Sequence, residues 1–357
     1  MEKSITRLVL AFSLLVSLGC ATALAQNNLT LQQNAPDRYT VEKGDTLWGI
    51  AARFLKDPWR WPEIWRMNQE QLKNPHRIYP GDVIVLDKST SPPKLSLESN
   101  SPTASVKLSP RVYSEGLAAE AIPAIPAREI EPFLSQPLVI EAGGLDRAPR
   151  IVATEESRVY LGSGGTAYVS GLGASAQADW QVFRPGQPLV DPDSGLTLGV
   201  EAIYLGIGLV VRSGEPATVQ IVTALQEIAA GDRLIAMNAP AVKEYVPRSP
   251  SGAIRARVIS LYNRLSTSEG GRSSIIALNK GRRDGLENGH VLALYRAGAT
   301  VYEGGNAMYA GARGPAIQLP DERYGLVFVF RTFDAVSYAL VMESSRPVTP
   351  GDRLRNP

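Results

Sequence analysis

The sequence of 357 residues predicts a small α+β unit with a strand-helix-helix-strand order, followed by two mainly-β domains. Between Arg38 and Leu86 the apolar spacing changes from strand-like to helix-like and back. Beyond Pro137, short runs of Val, Ile, Tyr and Leu recur between glycine-rich turns. A Ser- and Pro-rich tract between the two regions is typical of a linker. The predicted segments are 1–25, 38–87, a linker at 88–120, 125–248 and 252–357.

The first segment has the features of a secretory signal peptide. Lys3 and Arg7 precede an apolar run of 11 residues, Leu8–Leu18, and small residues lead to Ala25. The run is too short to cross a membrane. Cleavage after Ala25 predicts a periplasmic mature protein that begins at Gln26.

A second way of processing the leader stays open. Leu18-Gly19-Cys20 is similar to a lipobox, although Ser17 stands where leucine is usual, and cleavage before Cys20 predicts a lipid-anchored protein. Cys20 is the only cysteine, so a mature chain that begins at Gln26 must fold without disulfides.

The α+β unit begins with a short strand and an amphipathic helix. Tyr39–Val41 is β-prone, Gly44 permits a turn, and Asp45 or Thr46 can cap the helix that follows. The spacing i, i+3, i+4, i+7 predicts one apolar helix face, formed by Leu47, Ile50, Ala51 and Phe54.

A second helix and a closing strand complete this unit. The first helix is predicted to end near Asp57-Pro58, because a residue before proline avoids helical geometry. Pro62 suits the first turn of a second helix. Asn74-Pro75 and Pro80-Gly81 indicate turns. Val83–Leu86 is then predicted to pair with the first strand.

Together, the run Tyr39-Thr-Val-Glu-Lys-Gly-Asp-Thr-Leu47 and the later Ile78-Tyr-Pro-Gly-Asp-Val-Ile-Val-Leu86 resemble the LysM module. The resemblance implies binding of N-acetylglucosamine-containing glycans, chiefly peptidoglycan. It places the glycan between two loops, whose main-chain groups pair with the acetamido group while apolar side chains cover its methyl. Carried over by position, the site consists of Gly44, Asp45, Thr46, Leu47, Asn74, Pro75, Ile78, Tyr79 and Pro80.

Four of the five tryptophans lie in this unit, at positions 48, 59, 61 and 65. An indole can stack on a sugar face, but a module of this size also needs large aromatic side chains to form a core. For Trp48 and Trp65 the core interpretation is favoured, whereas for Trp59 and Trp61 the two interpretations stay open. The Asp57–Pro62 segment lengthens the link between the helices relative to a minimal LysM module.

The β-rich half contains an apparent repeat. Tyr204–Arg212 is followed by Gly231-Asp-Arg-Leu234, and Tyr324–Arg331 is followed at nearly the same distance by Gly351-Asp-Arg-Leu354. Duplication of one β-unit and convergence on a common hairpin both account for it. The chain as a whole resembles LysM-containing envelope proteins of Gram-negative bacteria, a likeness that implies no known chemistry.

The residue inventory argues against most cell-wall enzymes. A mature chain without cysteine lacks a thiol nucleophile. Zinc hydrolases of the wall generally use at least two histidine ligands, but of the 2 histidines His76 lies in the LysM-like loop and only His290 in the carboxyl half. A glycan hydrolase with paired carboxylates stays open. Its candidate acids are Glu155, Glu156, Asp191, Asp193 and Glu343. The glycines at 281, 285 and 289 are better explained by turns than by a phosphate loop.

We therefore predict a non-enzymatic binding protein without cofactor or metal. Basic and acidic residues nearly balance, 37 against 35, which gives no reason to expect a nucleic-acid partner. The predicted partners are peptidoglycan glycan strands and, through the β-half, another envelope protein. The alternatives are the glycan hydrolase and a structural component of an envelope assembly.

Overall fold

A computed structural model describes most of the chain from residue 30 to the carboxyl terminus. The described residues are 30–66, 78–90, 93–98, 123–126, 130, 133–134, 139–141, 144–173, 178–237, 246–262, 269–302 and 315–357. The predicted signal peptide and Cys20 lie outside them. Within the described residues no helix is both long and apolar enough to span a membrane.

The amino-terminal unit, residues 30–66, 78–90 and 93–98, packs two helices against a small antiparallel sheet. Its helices are α1 (Leu47–Phe54) and α2 (Trp61–Arg66), joined by a 3-10 turn at Pro58–Arg60. Its strands are β1 (Arg38–Thr40), β2 (Val83–Asp87) and β3 (Lys94–Glu98), in the order β1-β2-β3.

Helix α1 forms as the apolar spacing predicts. Thr46 is its N-cap, and its Oγ1 accepts a hydrogen bond from the Gly49 N–H at 3.0 Å. All four residues of the predicted apolar face are buried and belong to the core of the unit. The helix ends at Phe54, before Pro58, which confirms the predicted stop.

Strand β3 lies in a stretch that the sequence assigned to the linker. Lys94–Glu98 pairs antiparallel with β2, and Leu95 and Leu97 pack against the core of the unit. The alternating leucines supply an apolar face for the sheet, which the Ser- and Pro-rich composition obscured. The remainder of the predicted linker, 99–120, lies outside the described residues.

The first β-region begins at residue 139 and forms one sheet of seven strands. A single helical turn, α3 (Gly144–Arg147), follows its first strand. The strands are β4 (Val139–Ile140), β5 (Arg150–Thr154), β6 (Thr166–Ser170), β7 (Asp179–Val190), β8 (Thr197–Arg212), β9 (Ala217–Ala224) and β10 (Arg233–Ala236).

The second β-region contains a closed six-stranded barrel. The barrel strands are β11 (Arg255–Leu261), β12 (Ile275–Leu278), β13 (Val291–Arg296), β16 (Glu322–Thr332), β17 (Ser337–Ser344) and β18 (Arg353–Arg355). A two-stranded hairpin of β14 (Thr300–Tyr302) and β15 (Ala316–Gln318) lies outside the barrel. The mostly-β remainder that the sequence predicted is thus present.

The two β-regions share one pairing order. The seven-stranded sheet runs β4-β8-β7-β10-β5-β6-β9, and an additional β8–β9 pairing joins six of its strands into a ring. Starting from β5, that ring reads β5-β6-β9-β8-β7-β10. The barrel, starting from β11, reads β11-β12-β17-β16-β13-β18. Each of the six ring strands therefore has a counterpart in the barrel in the same chain order, as duplication of one unit requires.

The Gly-Asp turns of the two β-regions have the same hydrogen bonds. In the first region Oδ2 of Asp232 accepts from the Ala229 N–H at 2.8 Å, and in the second Oδ2 of Asp352 accepts from the Thr349 N–H at 2.7 Å. In both, the glycine before the aspartate donates at 2.8 Å to the strand that opens the unit, at Ile151 and Val258. The turn thus closes each ring.

Two details of the first β-region differ from the predicted strands. Arg158–Leu161 was predicted as a strand, but it forms an isolated bridge at Leu161 after a 3-10 turn at Glu155–Ser157. Strand β5, at 150–154, was not predicted, because Arg150 and the proline before it interrupt the apolar run.

The amino-terminal unit is docked on the barrel. Trp48, which is 2% exposed, lies in a hydrophobic cluster with the barrel residues Leu326, Phe328 and Tyr338. Its indole Nε1 lies 3.4 Å from Oε1 of Glu343, and Arg323 pairs with Asp57 at 2.7 Å. A helix of the unit and the wall of the barrel therefore share one buried contact.

Candidate functional site

The first predicted loop, between β1 and α1, is held by one carboxylate. Oδ2 of Asp45 accepts from the N–H of Glu42 and from the hydroxyl of Tyr39, both at 2.8 Å. Gly44 precedes it with φ of 100°, a left-handed conformation that favours glycine. The tight bend thereby brings the chain to the start of α1.

The Tyr39 side chain is held at its ring and at its hydroxyl. The Arg53 guanidinium lies 4.4 Å from the ring centroid, a cation–π distance. Burial, and then the hydrogen bond to Asp45, raise the pKa of the Tyr39 hydroxyl, which therefore stays a neutral donor at neutral pH. Two of the loop's polar groups are thus fixed before any ligand arrives.

The second predicted loop is described only from Ile78 onward; Asn74 and Pro75 lie outside the described residues. The N–H of Tyr79 donates to Oδ2 of Asp82 at 2.9 Å, and Pro80 is exposed. The N–H of Gly81 and the carbonyl of Asp82 both pair with the main chain of Val41, at 2.8 Å. The described part of this loop therefore lies beside the first loop.

The predicted site residues differ in what they present to solvent. Leu47 and Ile78 are buried in the core of the unit, at 4% and 0% exposure, so their main chains are what they can offer a ligand. The Thr46 hydroxyl accepts the hydrogen bond from the Gly49 N–H that caps α1. Tyr79 and Pro80 keep partly or fully exposed side chains at the edge of the loop.

Sequence reasoning missed a segment that contacts this site. The N–H groups of Leu47 and Trp48 donate to the carbonyl oxygens of Pro123 and Ala124, each at 3.0 Å. Ala124 is buried with the core of the amino-terminal unit. Pro123 and Ala124 lie between the predicted linker at 88–120 and the predicted segment 125–248, and the sequence there carries no signal that the chain returns to α1.

The described tryptophans serve the fold. Trp61 is 4% exposed in the core of the amino-terminal unit, and Trp48 is 2% exposed against the barrel. Trp59 packs against the same cluster as Trp48. For Trp48 the core interpretation is confirmed. For Trp59 and Trp61, where sugar stacking and core packing were both open, the structure favours core packing. The side chain of Trp65 lies outside the described part.

The acids considered for a hydrolase are engaged in contacts. Glu155 and Glu156 pair with Arg158 at 3.3 and 3.0 Å. Asp191 accepts from Nδ2 of Asn279 at 2.7 Å, and Asp193 pairs with Arg257 at the same distance. The last two contacts join the β7–β8 hairpin to the barrel, so they have a structural role.

Glu343 lies where the barrel meets the amino-terminal unit. Burial raises the pKa of its carboxyl, while the Trp48 indole, Arg323 and Arg272 act in the opposite direction. The group lies next to α1 of the same unit whose loop forms the candidate site. Its contact with Trp48 was not foreseen from the sequence.

His290 and the glycine-rich stretch before it are parts of a turn. The ring Nδ1 accepts from the Glu287 N–H at 3.1 Å, and burial lowers the pKa of the imidazole. Arg282–Asp284 forms a 3-10 turn that ends at Gly285, as the turn interpretation predicts. In the part of the chain that the structure describes, no group of three or more His, Cys, Asp or Glu could hold a metal ion.

Comparison with known proteins identifies the amino-terminal unit. Residues 39–87 match the LysM domain. A protein of Bacillus subtilis (strain 168), described as "Uncharacterized protein YqbP", is 40% identical over 63 residues, which cover 15% of this chain and 29% of that protein. The similarity therefore spans less than a third of the length of that relative.

Proposed function

We propose that this protein, whose residues 39–87 form a LysM domain, is a non-enzymatic periplasmic protein that binds peptidoglycan. A LysM domain implies binding of N-acetylglucosamine-containing glycan, and this match is the observation that carries the proposal. The ligand lies against the loop at Gly44–Leu47 and the loop that ends at Pro80.

The geometry of the loops supports recognition through the main chain. The Asp45 carboxylate accepts from the Glu42 N–H at 2.8 Å, and the Asp82 carboxylate accepts from the Tyr79 N–H at 2.9 Å. These bonds fix the two bends and with them the directions of the main-chain amides. An acetamido group offers one carbonyl acceptor and one N–H donor, so a rigid pair of bends suits it. One shallow site of this kind binds with a Kd on the order of micromolar to millimolar.

Binding rather than catalysis is supported by the contacts of the acids. Each carboxylate considered for a hydrolase has a partner: Arg158 for Glu155 and Glu156, Asn279 for Asp191, and Arg257 for Asp193. Glu343 faces the Trp48 indole. Cleavage of a glycosidic bond needs two carboxyls that flank the same bond. The acids described here instead contact arginine, asparagine and tryptophan side chains.

Export to the periplasm is proposed from the leader. Lys3 and Arg7, the apolar run Leu8–Leu18 and the small residues before Gln26 form the argument, with an anchor at Cys20 as the alternative product. Mass spectrometry of the mature amino terminus separates the two. A free Gln26 supports the soluble form, and an acylated Cys20 supports the lipoprotein.

The binding proposal is tested by co-sedimentation with insoluble sacculi. The mature chain should pellet with sacculi, and a chain lacking residues 38–87 should stay in the supernatant. Retention of the deleted chain would contradict the assignment of the site. Incubation with the same sacculi, followed by analysis of released fragments, tests the non-enzymatic part, which any released muropeptide would overturn.

A point variant sharpens this test. Tyr79→Ala removes an aromatic side chain at the edge of the second loop and should weaken binding of chitotetraose by about three- to tenfold, equivalent to about 0.7–1.4 kcal/mol. Tyr160→Ala is the matched control, because Tyr160 is 54% exposed on the first β-region. Equal affinities of the two variants would argue against the loop at Tyr79.

A further inference from the structure

Residues 123–126, here called the strap, lie against the amino-terminal end of α1. The carbonyl oxygens of Pro123 and Ala124 accept from the N–H groups of Leu47 and Trp48, both at 3.0 Å. Both contacts are of ordinary hydrogen-bond length. Each of these acceptors is more than 75 positions away from its donor in the chain, so tertiary structure brings the strap there.

These two N–H groups have no acceptor within α1 itself or its N-cap residue. The first N–H groups of a helix have no acceptor within the helix. In α1 the Gly49 N–H donates to the Thr46 hydroxyl at 3.0 Å, and the Ile50 N–H donates to the Thr46 carbonyl at 2.9 Å. The Leu47 and Trp48 N–H groups remain, and the strap occupies both.

The strap is anchored by its side chains on two sides. Ala124 is 8% exposed and belongs to the core of the LysM domain, whereas Ile125 is 3% exposed and belongs to the barrel cluster that contains Trp48. The chain bends at both residues, and their side chains enter two different cores. The contact is therefore specific to this segment of the chain.

We infer that the strap is an autoinhibitory segment that competes with glycan for the first loop of the LysM domain. The inference rests on the proposed function, since it concerns the same site. An acetamido carbonyl that approaches the start of α1 needs the N–H groups that Pro123 and Ala124 occupy. Glycan binding at this loop therefore requires the strap to leave.

The expected size of the effect follows from population arithmetic. The apparent Kd equals the intrinsic Kd divided by the fraction of molecules whose strap is displaced. If about a tenth of the molecules are open, displacement of the strap tightens the apparent affinity about tenfold.

Ile125→Asp in the full mature chain tests the inference, because a carboxylate is costly to bury in an apolar cluster and should displace the strap. Chitotetraose titrated by calorimetry should bind the variant about tenfold more tightly than the wild type. Val159→Asp is the matched control, since Val159 is 72% exposed and the same exchange there should leave the affinity unchanged. Should Ile125→Asp fail to fold by circular dichroism, Ile125→Ala replaces it, with a smaller gain in the same direction.

A measurement on the wild-type chain avoids the question of folding. At saturating chitotetraose, the methyl resonances of Ala124 and Ile125 should move towards the values of exposed residues, and the Leu47 and Trp48 amides should shift. Sugar binding that leaves both methyl resonances unchanged would overturn the inference, and so would equal affinities of the wild type and the Ile125 variants. Either result leaves the proposed function standing. Failure of all the chains to bind the sugar would overturn both.

Discussion

The indole Nε1 of Trp48 lies 3.4 Å from Oε1 of Glu343, although 295 positions separate the two residues. The contact joins the LysM helix α1 to barrel strand β17. Trp48 also borders the first loop of the proposed glycan site, and its main-chain N–H donates a hydrogen bond to the Ala124 carbonyl oxygen. One residue therefore connects the barrel, the strap and the site, and several expectations follow from that position.

Removal of the Trp48 side chain should destabilise the junction strongly. Trp48 is 2% exposed, and truncation of a buried aromatic residue to alanine typically costs about 3–5 kcal/mol. Trp48→Ala should therefore lower the free energy of unfolding in urea, and Trp48→Phe should lower it less, since most of the ring volume is kept. Tyr160→Ala, at an exposed position, is the control. An unfolding curve of Trp48→Ala that superimposes on the wild type would contradict the docked arrangement.

Glu343 should make stability depend on pH in a defined direction. Burial raises the pKa of this carboxyl above its ordinary 4.5, so the native state binds the proton more tightly than the unfolded chain. Its contribution to stability is then present below pH 4.5 and is lost as pH rises through the native pKa. Glu343→Gln removes this titration, so the Tm of the variant minus the Tm of the wild type should increase as pH rises from 4.5.

A control of opposite sign is available at Glu215. Hydrogen bonds from Ser170 and then from the Gly171 N–H lower the pKa of this exposed carboxyl. Its contribution is therefore lost only as pH falls below its ordinary 4.5, and the Tm difference for Glu215→Gln should be flat above that pH. A flat profile for Glu343→Gln as well would show that burial of Glu343 has no effect on stability.

The Asp57–Arg323 ion pair should add a small coupling energy between the LysM domain and the barrel. The nitrogen and oxygen atoms are 2.7 Å apart, and both side chains are about one third exposed. A double-mutant cycle with Asp57→Ala and Arg323→Ala should give about 0.2–1 kcal/mol, reduced by added salt. A coupling energy of zero at low salt would mean that docking depends on the Trp48 cluster alone.

Two glycines at matching positions of the two β-regions should both resist substitution. A Cβ on Gly206 would lie 1.9 Å from the carbonyl oxygen of Thr223, and one on Gly325 would lie 2.4 Å from that of Glu343. These contacts are with the paired strands β9 and β17, so Gly206→Ala and Gly325→Ala should each cost about 1–3 kcal/mol or more. Gly252→Ala is the control, because a Cβ there meets no atom within 4 Å.

The glycine pair also tests the relationship between the two β-regions. Gly206 faces Ala224 and Gly325 faces Ser344, in each case one residue after the carbonyl that a Cβ would meet. If the regions descend from one unit, both substitutions should lower stability to a similar extent. A large cost at one position and none at the other would favour convergence on a common hairpin.

Much of the LysM domain follows from local sequence. The helical spacing of Leu47, Ile50, Ala51 and Phe54 defines one buried face, and Thr46 caps the helix with its own side chain. These features depend on neighbours within one or two turns, where rotamer preferences and hydrogen-bond geometry act over short distances. The Gly-Asp turns that lead into β10 and β18 were visible for the same reason.

The bounds of the predicted segments 125–248 and 252–357 stay predictions, whereas the pairing order that the strands within them share is seen in the structure. The apparent repeat indicated which strands correspond. It did not indicate that β8 pairs with both β7 and β9, because strand neighbours in a ring are chosen by non-local contacts.

The sequence by itself determined a LysM domain, its capped helix and a β-rich remainder, because each rests on residue patterns that short-range physics decides. Only the tertiary structure decided that Trp48 is buried against the barrel and that Pro123 and Ala124 hold the open N–H groups of α1. Both contacts join distant segments, and their free energy comes from burial and from hydrogen bonds whose partners no local pattern specifies.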